Sequence, residues 1–334
     1  MKTFIPLRLP LLLIMGWGVS LLAEQGASAA AGSDLLVYIG TYTGEKSQGI
    51  YLSRFDGQTG RLTPPELAAE AKNPAFLAAH PKGGFLYAVG ELDTFAGRKT
   101  GSVSAFRIEQ PSGKLTLLNQ QPSGGTGPCH LTIDPSGKCV LVANYGSGSV
   151  AAFPVRSNGE LGEAGTVLQH TGSSVDPKRQ TGPHAHQVVV DPKKQRVLAC
   201  DLGLDQVLVY KLDADKAWLA PNDPAFGRAL PGAGPRHLAF HPNGRRAFVL
   251  NEMACTLTSY DYDAETGALN LVEHVSILPS DQSKGNASGA ELQVHPSGKY
   301  VYASNRGRDS IATYSITRKG ELKLVGHTPT QGKT

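Results

Sequence analysis

The sequence has few cysteines, few aromatic residues and no block of charge of one sign. Its cysteines, Cys129, Cys139, Cys200 and Cys255, form no C-x-x-C pair and have no histidine at zinc spacing, which argues against a zinc site. Cys139 and Cys200 lie in apolar runs, so buried free thiols are favoured over disulfides. Aromatic residues make up 7% of the chain, and the net charge of +4 is dispersed. We therefore expect no metal, no cofactor and no nucleic-acid partner.

Two further absences concern helices and nucleophiles. From residue 35 onward hardly any stretch has helical period, and short apolar runs alternate with Gly, Pro, Asn and Asp, which predicts an all-β protein. No Gly-x-Ser-x-Gly motif is present, so the sequence offers no nucleophile elbow. If the chain hydrolyses an ester bond, direct attack by water is the simpler hypothesis.

Residues 1–29 have the features of a secretory signal peptide. Lys2 and Arg8 precede the apolar run 9–23, and Ala27-Ser28-Ala29 offers small residues to a peptidase. The alternative is an uncleaved anchor, but Pro10, together with Gly16 and Gly18, interrupts a run shorter than the roughly 20 residues that span a bilayer. We expect an exported, periplasmic or extracellular protein without stable membrane insertion, whose mature domain spans residues 30–334.

A turn motif of the form x-Pro-x-Gly recurs along the chain, with one copy lacking the glycine. Its copies begin 54, 57, 50 and 54 residues apart, at His80, Asp134, Asp191, His241 and His295. Proline fixes φ and glycine accepts positive φ, so each copy makes a tight turn between two strands. A period near 50 with four strands per unit predicts a β-propeller.

The ends of the predicted ring do not match each other. Residues 35–42 and 49–55 correspond to the second and third strands of a unit that lacks its first strand and its turn. Propellers often close by pairing the two ends of the chain, so we expect the C-terminal end to supply the missing strand. The sequence ends at Thr334, where that strand should begin. Either the domain is C-terminally incomplete, which we favour, or the ring closes in an unusual way.

Polar residues collect at the start of the first strands and at the end of the second strands. The first strands line the central channel of a propeller, so these residues converge at one mouth of the channel. The predicted cluster contains His130, His184, His186, His237, Arg236, Arg306, Glu91, Glu252 and Glu291, with Arg179 able to reach over it.

Each of these positions also has a structural interpretation. Asn144, Asn251 and Asn305 end second strands, where asparagine commonly makes turns, and we favour that role although Asn144 and Asn305 stay candidates for substrate contact. The turn histidines are assigned to capping, because aspartate replaces them in other copies. The repeated Gly-Pro followed by His or Arg is harder to explain by turns alone, because two other blades form the same turn with Phe76 and Glu291 instead. Convergent titratable groups in a concave site usually mark a ligand site.

The residue types suit acid and base chemistry on a carbonyl. A histidine can take a proton from water near neutral pH, an arginine can stabilise an oxyanion, and a glutamate can orient the histidine. His184 or His186 is the predicted base, Arg236 or Arg306 the oxyanion partner, and Glu252 or Glu291 the orienting group. His184 lies in a two-residue insertion that the neighbouring repeats lack.

The ordered series of motifs resembles one known family. The motifs are Tyr38-Ile39-Gly40-Thr41-Tyr42, Ala143-Asn144-Tyr145, Gly182-Pro183-His184-Ala185-His186, Asp201-Leu202-Gly203, Gly234-Pro235-Arg236-His237, Asn251-Glu252 and Ser304-Asn305-Arg306-Gly307. They resemble those of the seven-bladed β-propeller lactonases, which include propeller-type 6-phosphogluconolactonases and the related carboxymuconate cyclases.

The resemblance implies a seven-bladed ring of four-stranded antiparallel blades and a metal-independent lactone hydrolase. Carried over by motif, the implied site consists of His130, Arg179, His184, His186, Arg236, His237, Glu252, Glu291 and Arg306. This chain departs from the family by lacking the closing repeat and by carrying an export signal.

We predict that the chain hydrolyses a sugar lactone, either 6-phosphogluconolactone or a related δ-gluconolactone, to the aldonic acid. Arginine forks bind phosphate and carboxylate in pairs, which keeps the phosphorylated substrate open. The alternatives are an exported propeller that binds a ligand or protein without catalysis, and a cyclase acting on a muconate-type lactone.

Overall fold

The computed structural model describes residues 19–21, 35–280 and 284–332. Within these ranges the chain consists of strands, turns and loops, and no helix there is long and apolar enough to cross a membrane. The predicted signal peptide lies outside the described residues except for residues 19–21, and so does its predicted cleavage site.

The described residues form six antiparallel sheets that follow one another along the chain. The first sheet contains β1 (Val19–Leu21), β2 (Leu35–Ile39), β3 (Gly49–Asp56), β4 (Arg61–Leu62) and β5 (Glu66–Glu70). The second contains β6 (Leu77–Ala79), β7 (Phe85–Gly90), β8 (Ser102–Ile108) and β9 (Leu115–Pro122), and the third β10 (Pro128–Ile133), β11 (Cys139–Asn144), β12 (Ser149–Pro154) and β13 (Thr166–Gln169).

The remaining three sheets repeat the same order of strands. The fourth contains β14 (Ala185–Val190), β15 (Arg196–Asp201), β16 (Gln206–Asp213) and β17 (Trp218–Arg228). The fifth contains β18 (Pro235–Phe240), β19 (Arg246–Asn251), β20 (Thr256–Tyr262) and β21 (Leu269–Ser276), and the sixth β22 (Ser288–Val294), β23 (Tyr300–Arg306), β24 (Ser310–Ile316) and β25 (Leu322–Pro329). The predicted all-β architecture of four-stranded antiparallel blades is confirmed, with six blades among the described residues.

The innermost strand of the first blade differs from our expectation. It is β1, which pairs antiparallel with β2 and places Val19 opposite Ile39, whereas we expected the C-terminal end to supply it. The C-terminal β25 is instead the outer strand of the sixth blade. Because an unpaired strand edge leaves a row of free N–H and C=O groups, β2 pairs with a segment that lies beside it. Since β1 falls within the predicted signal peptide, it fills this edge only in the uncleaved chain.

The repeated turn joins the first strand to the second in the five blades that carry it. In the third blade, Asp134 Oδ1 accepts bonds from the backbone N–H groups of Lys138 and Cys139, both at 2.7 Å. In the fifth blade, His241 Nδ1 accepts from Asn243 N–H at 3.1 Å, while its Nε2 donates to the carbonyl of Gly298 in the next blade at 2.9 Å. Aspartate and histidine therefore both cap the turn, as predicted.

The hydrophobic core is divided into layers between adjacent blades. Side chains along a strand alternate between its two faces, so Leu86 of β7 packs toward the first blade and Tyr87 toward the third. The other layers lie between blades three and four, four and five, and five and six. The second to fifth blades are thus held on both faces, which fixes the ends of their inner strands relative to one another.

Candidate functional site

A β-bulge stands at the mouth end of four first strands. The register of each strand slips against its second strand between Pro128 and His130, Ala185 and Gln187, Pro235 and His237, and Gly289 and Leu292. Bulges re-aim side chains and are frequent next to active sites. The residues skipped in the ladder include Cys129, His186, Arg236 and Glu291, and all but Cys129 were candidate site residues.

Three candidate histidines meet at this mouth. The ring centroid of His237 lies 5.6 Å from that of His130 and 5.3 Å from that of His186. Phe76 occupies the same position in the second blade as His130 does in the third, and it packs on His130 with ring centroids 4.2 Å apart. The predicted convergence of His130, His186 and His237 is therefore present in the structure.

These histidines are buried, and their electrostatics follow from that. Burial, followed by the charge of Arg236, lowers the pKa of His186 well below its ordinary value. Burial and then His237 lower the pKa of His130 in the same way. Burial also lowers the pKa of His237, so the imidazoles of this cluster favour the neutral form.

Glu291 orients His237. Its Oε2 accepts from His237 Nδ1 at 2.9 Å, and the Nε2 of that ring lies 3.3 Å from Arg236 Nη1, which donates to it. Burial opposes ionisation of Glu291, but the contact with His237 outweighs it and the pKa of Glu291 is lowered to about 2. The predicted orienting role fits Glu291, although the histidine it orients is His237.

Glu252 instead gathers three arginines. Its Oε1 accepts from Arg179 at 2.9 Å, and its Oε2 accepts from Arg236 at 3.1 Å and from Arg306 at 3.0 Å. Burial opposes ionisation, but Arg236 and the other arginines outweigh it and lower the pKa of Glu252. Both carboxylate oxygens are thus engaged by arginine, which corrects the expectation that Glu252 orients a histidine.

The arginines differ in how much of each guanidinium is open. The side chain of Arg236 is 16% exposed, and it also donates to the carbonyl of Ala290. Arg179 and Arg306 are 45% and 38% exposed. Arg179 and Arg306 are therefore better placed than Arg236 to meet a substrate.

A cavity of about 510 Å³ opens beside these two arginines. Glu252, Lys284, Asn286 and Ser288 also line it. The acidic Asp176 at its rim caps the turn before Arg179, accepting from the backbone N–H of Lys178 at 2.8 Å and of Arg179 at 2.9 Å. Three cationic side chains face this space against two carboxylates, of which Glu252 is bound by arginines and Asp176 by its own turn, so the cavity suits a ligand with negative charge.

His184 lies at the same mouth but in a different environment. Its Nδ1 is 3.0 Å from the carbonyl oxygen of Tyr145, and because a carbonyl only accepts, Nδ1 carries the proton. The imidazole stacks on the Tyr145 ring with centroids 4.6 Å apart. Among the described residues Nε2 has no hydrogen-bond partner, so it presents a lone pair from a half-buried ring.

Tyr145 connects the histidine side of the mouth to the arginine side. Its hydroxyl accepts from Arg179 Nη2 at 3.1 Å, while its carbonyl holds His184 and its ring lies 5.4 Å from that of His186. Tyr145 was named from the sequence only as part of the Ala143-Asn144-Tyr145 motif and was not selected as a site residue. Its position directly after Asn144, at the end of a second strand, was the available signal.

Asn144 and Asn305 have the contacts of structural residues. Asn144 is fully buried and its Nδ2 donates to Ser123 O and Ser149 Oγ, both at 3.1 Å. Asn305 is buried and its Nδ2 donates to Ser310 Oγ at 3.0 Å. Each amide ties the end of its second strand to the start of the third, which favours the turn-forming role over substrate contact.

Glu91 lies on the side of the mouth next to the first blade, whereas Cys129 bonds toward the fourth blade. Tyr42 donates to Glu91 Oε2 at 2.6 Å, and burial raises the pKa of Glu91. Cys129 Sγ is 3.2 Å from the carbonyl of His186, to which it donates. All four cysteines are free thiols, and Cys129 is the partly exposed one. No group of three or more His, Cys, Asp or Glu residues in the described ranges is arranged to hold a metal.

The buried histidines predict a loss of stability in mild acid. Their folded pKa values are lowered, so below pH 6.5 the unfolded chain binds protons that the folded chain does not. His130 and His186 should each remove about 1.4 kcal/mol of unfolding free energy per pH unit. Urea denaturation at pH 7.5 and pH 5.0 measures this. His130→Gln should flatten the dependence, and an unfolding free energy that stays constant over this range would contradict the proposed burial of neutral imidazoles.

Comparison with known proteins places the chain in a family. The family model described as Lactonase, 7-bladed beta-propeller, matches residues 36–334. The 6-phosphogluconolactonase of Bacillus subtilis (strain 168) is 37% identical over 296 residues, covering 88% of this chain and 82% of the relative. The 6-phosphogluconolactonase of Formosa agariphila is 32% identical over 303 residues, covering 89% and 84%.

Among solved structures, the periplasmic gluconolactonase of Pseudomonas aeruginosa is similar to this chain with a TM-score of 0.83. It is 32% identical, and the match covers 90% of this chain and 84% of that one. These matches confirm the predicted lactonase type of carboxylic-ester hydrolase. The chain belongs to the seven-bladed β-propeller lactonase family.

Proposed function

We propose that this protein hydrolyses a sugar lactone to the aldonic acid at the mouth formed by His184, Tyr145 and the arginines of Glu252. One observation carries the proposal. The Tyr145 carbonyl fixes the tautomer of His184 with Nε2 as the acceptor, while the hydroxyl of the same tyrosine binds Arg179. A base and an oxyanion partner are thus held by a single residue.

The reaction follows from these positions. His184 Nε2 takes a proton from water, and the resulting hydroxide attacks the lactone carbonyl carbon. Negative charge develops on the carbonyl oxygen, where Arg306 or Arg179 stabilises it. The ring C–O bond then breaks, and His184 returns its proton to the departing alkoxide, which yields the hydroxyl and carboxylic acid of the product.

Glu252 and Glu291 act in support of this step. Glu252 holds three guanidinium groups that would otherwise repel one another. Glu291 accepts from His237 Nδ1 and so turns Nε2 of that ring toward Arg236. His130, His186 and His237 then form the wall of the mouth and contact the substrate as neutral donors or acceptors.

The cationic cavity favours a lactone that carries an anionic group. Arg179, Arg306 and Lys284 would bind a phosphate, so kcat/KM should be higher for 6-phosphogluconolactone than for δ-gluconolactone. Lys284→Ala should lower kcat/KM for the phosphorylated substrate about ten-fold and change it less than about two-fold for the plain lactone. The exposed Lys323→Ala variant should change neither. Equal losses on both substrates would contradict a phosphate contact at Lys284.

A continuous assay of acid release from both lactones tests this proposal against its alternatives. A binding propeller without catalysis would open neither lactone faster than buffer does. A cyclase would act on a muconate-type lactone, whose carboxylates also suit the cationic cavity, and would leave both gluconolactones unchanged.

Export of this protein is supported by its similarity to a Pseudomonas aeruginosa gluconolactonase that is described as periplasmic. N-terminal sequencing of the secreted protein would test cleavage near residue 30.

A further inference from the structure

A buried chain of hydrogen bonds runs beneath His184. Asp201 Oδ1 accepts from the backbone N–H groups of His184 at 2.8 Å, Gly203 at 3.0 Å and Leu204 at 3.1 Å. Asp201 Oδ2 accepts from His170 Nδ1 at 2.6 Å, and His170 Nε2 is 2.8 Å from the Tyr210 hydroxyl. The side chains of Asp201 and His170 are 0% and 1% exposed.

The donors and acceptors of this chain match without any added proton. A carboxylate only accepts, so His170 Nδ1 carries a hydrogen and Nε2 is the acceptor. The Tyr210 hydroxyl then donates to Nε2. The order is therefore Tyr210, His170, Asp201 and the backbone N–H of His184. This is the arrangement by which a buried carboxylate fixes the orientation of a neighbouring group.

Asp201 and His170 stand at positions where the other blades have different residue types. The second strands of the third, fifth and sixth blades end in asparagine, namely Asn144, Asn251 and Asn305, whereas the fourth ends in Asp201. The residue after the preceding outer strand is His170 here. At the corresponding places along the chain, the residue making the equivalent backbone bond is Ala71, Ser123, Ala229, Ile277 or Thr330.

The aspartate coincides with the insertion that carries His184. The loop at residues 182–184 packs on Gly203 so closely that a Cβ there would lie 1.9 Å from the Gly182 carbonyl oxygen. The Leu202 N–H also donates to the His184 carbonyl at 3.0 Å. The inserted loop is therefore clamped from both sides by residues 201–204, with Asp201 as the common acceptor.

We propose that Asp201, His170 and Tyr210 are positioning residues that fix the backbone of His184 and so aim its imidazole at the attacking water. This rests on the proposed function of His184 as the base. The three residues do not contact substrate, because they lie beneath the mouth. A base displaced by about 1 Å loses on the order of 10²-fold in rate, so the effect appears in kcat.

The mildest test removes one hydroxyl. Tyr210→Phe breaks the outermost bond of the chain, and its matched control is Tyr260→Phe. Tyr260 holds the same position in the next blade, is buried, and donates to the Arg228 carbonyl at 2.9 Å. Both variants should lower Tm by about 2–4 °C. Tyr210→Phe alone should lower kcat about five-fold with KM changed less than about two-fold.

The stronger test is Asp201→Asn, which keeps the side-chain shape but removes the acceptor for His170. We expect kcat to fall about 10²-fold with KM nearly unchanged in the full-length protein. If this variant fails to fold, Tyr210→Phe decides alone. Equal kcat values for Tyr210→Phe and Tyr260→Phe would overturn the proposal, as would a loss that appears in KM for both.

Failure of this proposal can be told apart from failure of the proposed function. If His184→Ala retains full lactonase activity, His184 is not the base and the basis of the proposal is lost. If His184→Ala is inactive while Tyr210→Phe matches its control, the result supports His184 as the base and overturns the positioning role of the buried hydrogen-bond chain. The expected result is loss of kcat in both His184→Ala and Tyr210→Phe, graded in that order.

Discussion

His184→Ala should lower kcat for lactone hydrolysis by about 10²–10⁴-fold, the usual contribution of a general base. KM should change less than about three-fold, because the arginines and not His184 hold the substrate. The fold should persist, since the ring is half-buried and its Nδ1 bond to Tyr145 is a single contact at the surface of the mouth. Initial rates and a thermal melt of the same preparation measure both effects.

The matched control is His295→Ala. His295 is also half-buried, but it caps the turn of the sixth blade, accepting from Ser297 N–H at 3.1 Å. This variant should retain its kcat. If both variants lose activity equally, the loss reflects damage to the propeller. If neither does, the base is another group, and His186→Ala becomes the decisive variant.

Glu252→Gln should have the largest effect on stability. The carboxylate is 8% exposed and accepts from three arginines, and an amide in its place offers one acceptor and an N–H₂ that faces cationic donors. Removing one partner of a buried ion pair costs about 3–5 kcal/mol. Arg179 and Arg306 lose their anchor at the same time, so kcat/KM should fall at least about 10²-fold. Urea denaturation and steady-state kinetics measure the two losses.

Glu265→Gln provides the comparison for this substitution. Glu265 pairs with Lys193 and its side chain is 80% exposed, so its loss should change the unfolding free energy by less than about 1 kcal/mol. A Glu252→Gln variant that is as stable and as active as Glu265→Gln would show that the three-arginine cluster is dispensable. In that case the oxyanion role assigned to the arginines fails.

The repeat and its turns could be predicted from sequence because they depend on local chemistry. Proline and glycine at fixed offsets specify the turn, and alignment on that turn placed His130 and His237 in one column, which the structure brings within 5.6 Å. The family followed from the order of the same motifs. The contacts within the site could not be predicted in this way. The alignment of the repeats gives one residue per blade and does not show which side chains bind one another.

The binding partners of the charged side chains could not be predicted from the alignment of the repeats. Glu252 binds arginines from three separate segments, and His184 is oriented by a backbone carbonyl, which any residue at position 145 would supply. The strand that pairs with the open edge of the first blade could not be predicted from the pattern either, because pairing of an open edge depends on what lies beside it; in the structure Val19–Leu21 pairs with β2. The insertion at His184, by contrast, was visible in the spacing alone.

The most direct test of the central claim is the rate of δ-gluconolactone opening by the purified full-length protein, compared with buffer and with His184→Ala at the same pH. We expect rapid acid release by the unmodified protein, with the rate for His184→Ala falling toward the buffer rate. A rate for the unmodified protein equal to that in buffer, with 6-phosphogluconolactone also unaffected, would contradict the assignment of this mouth to lactone hydrolysis.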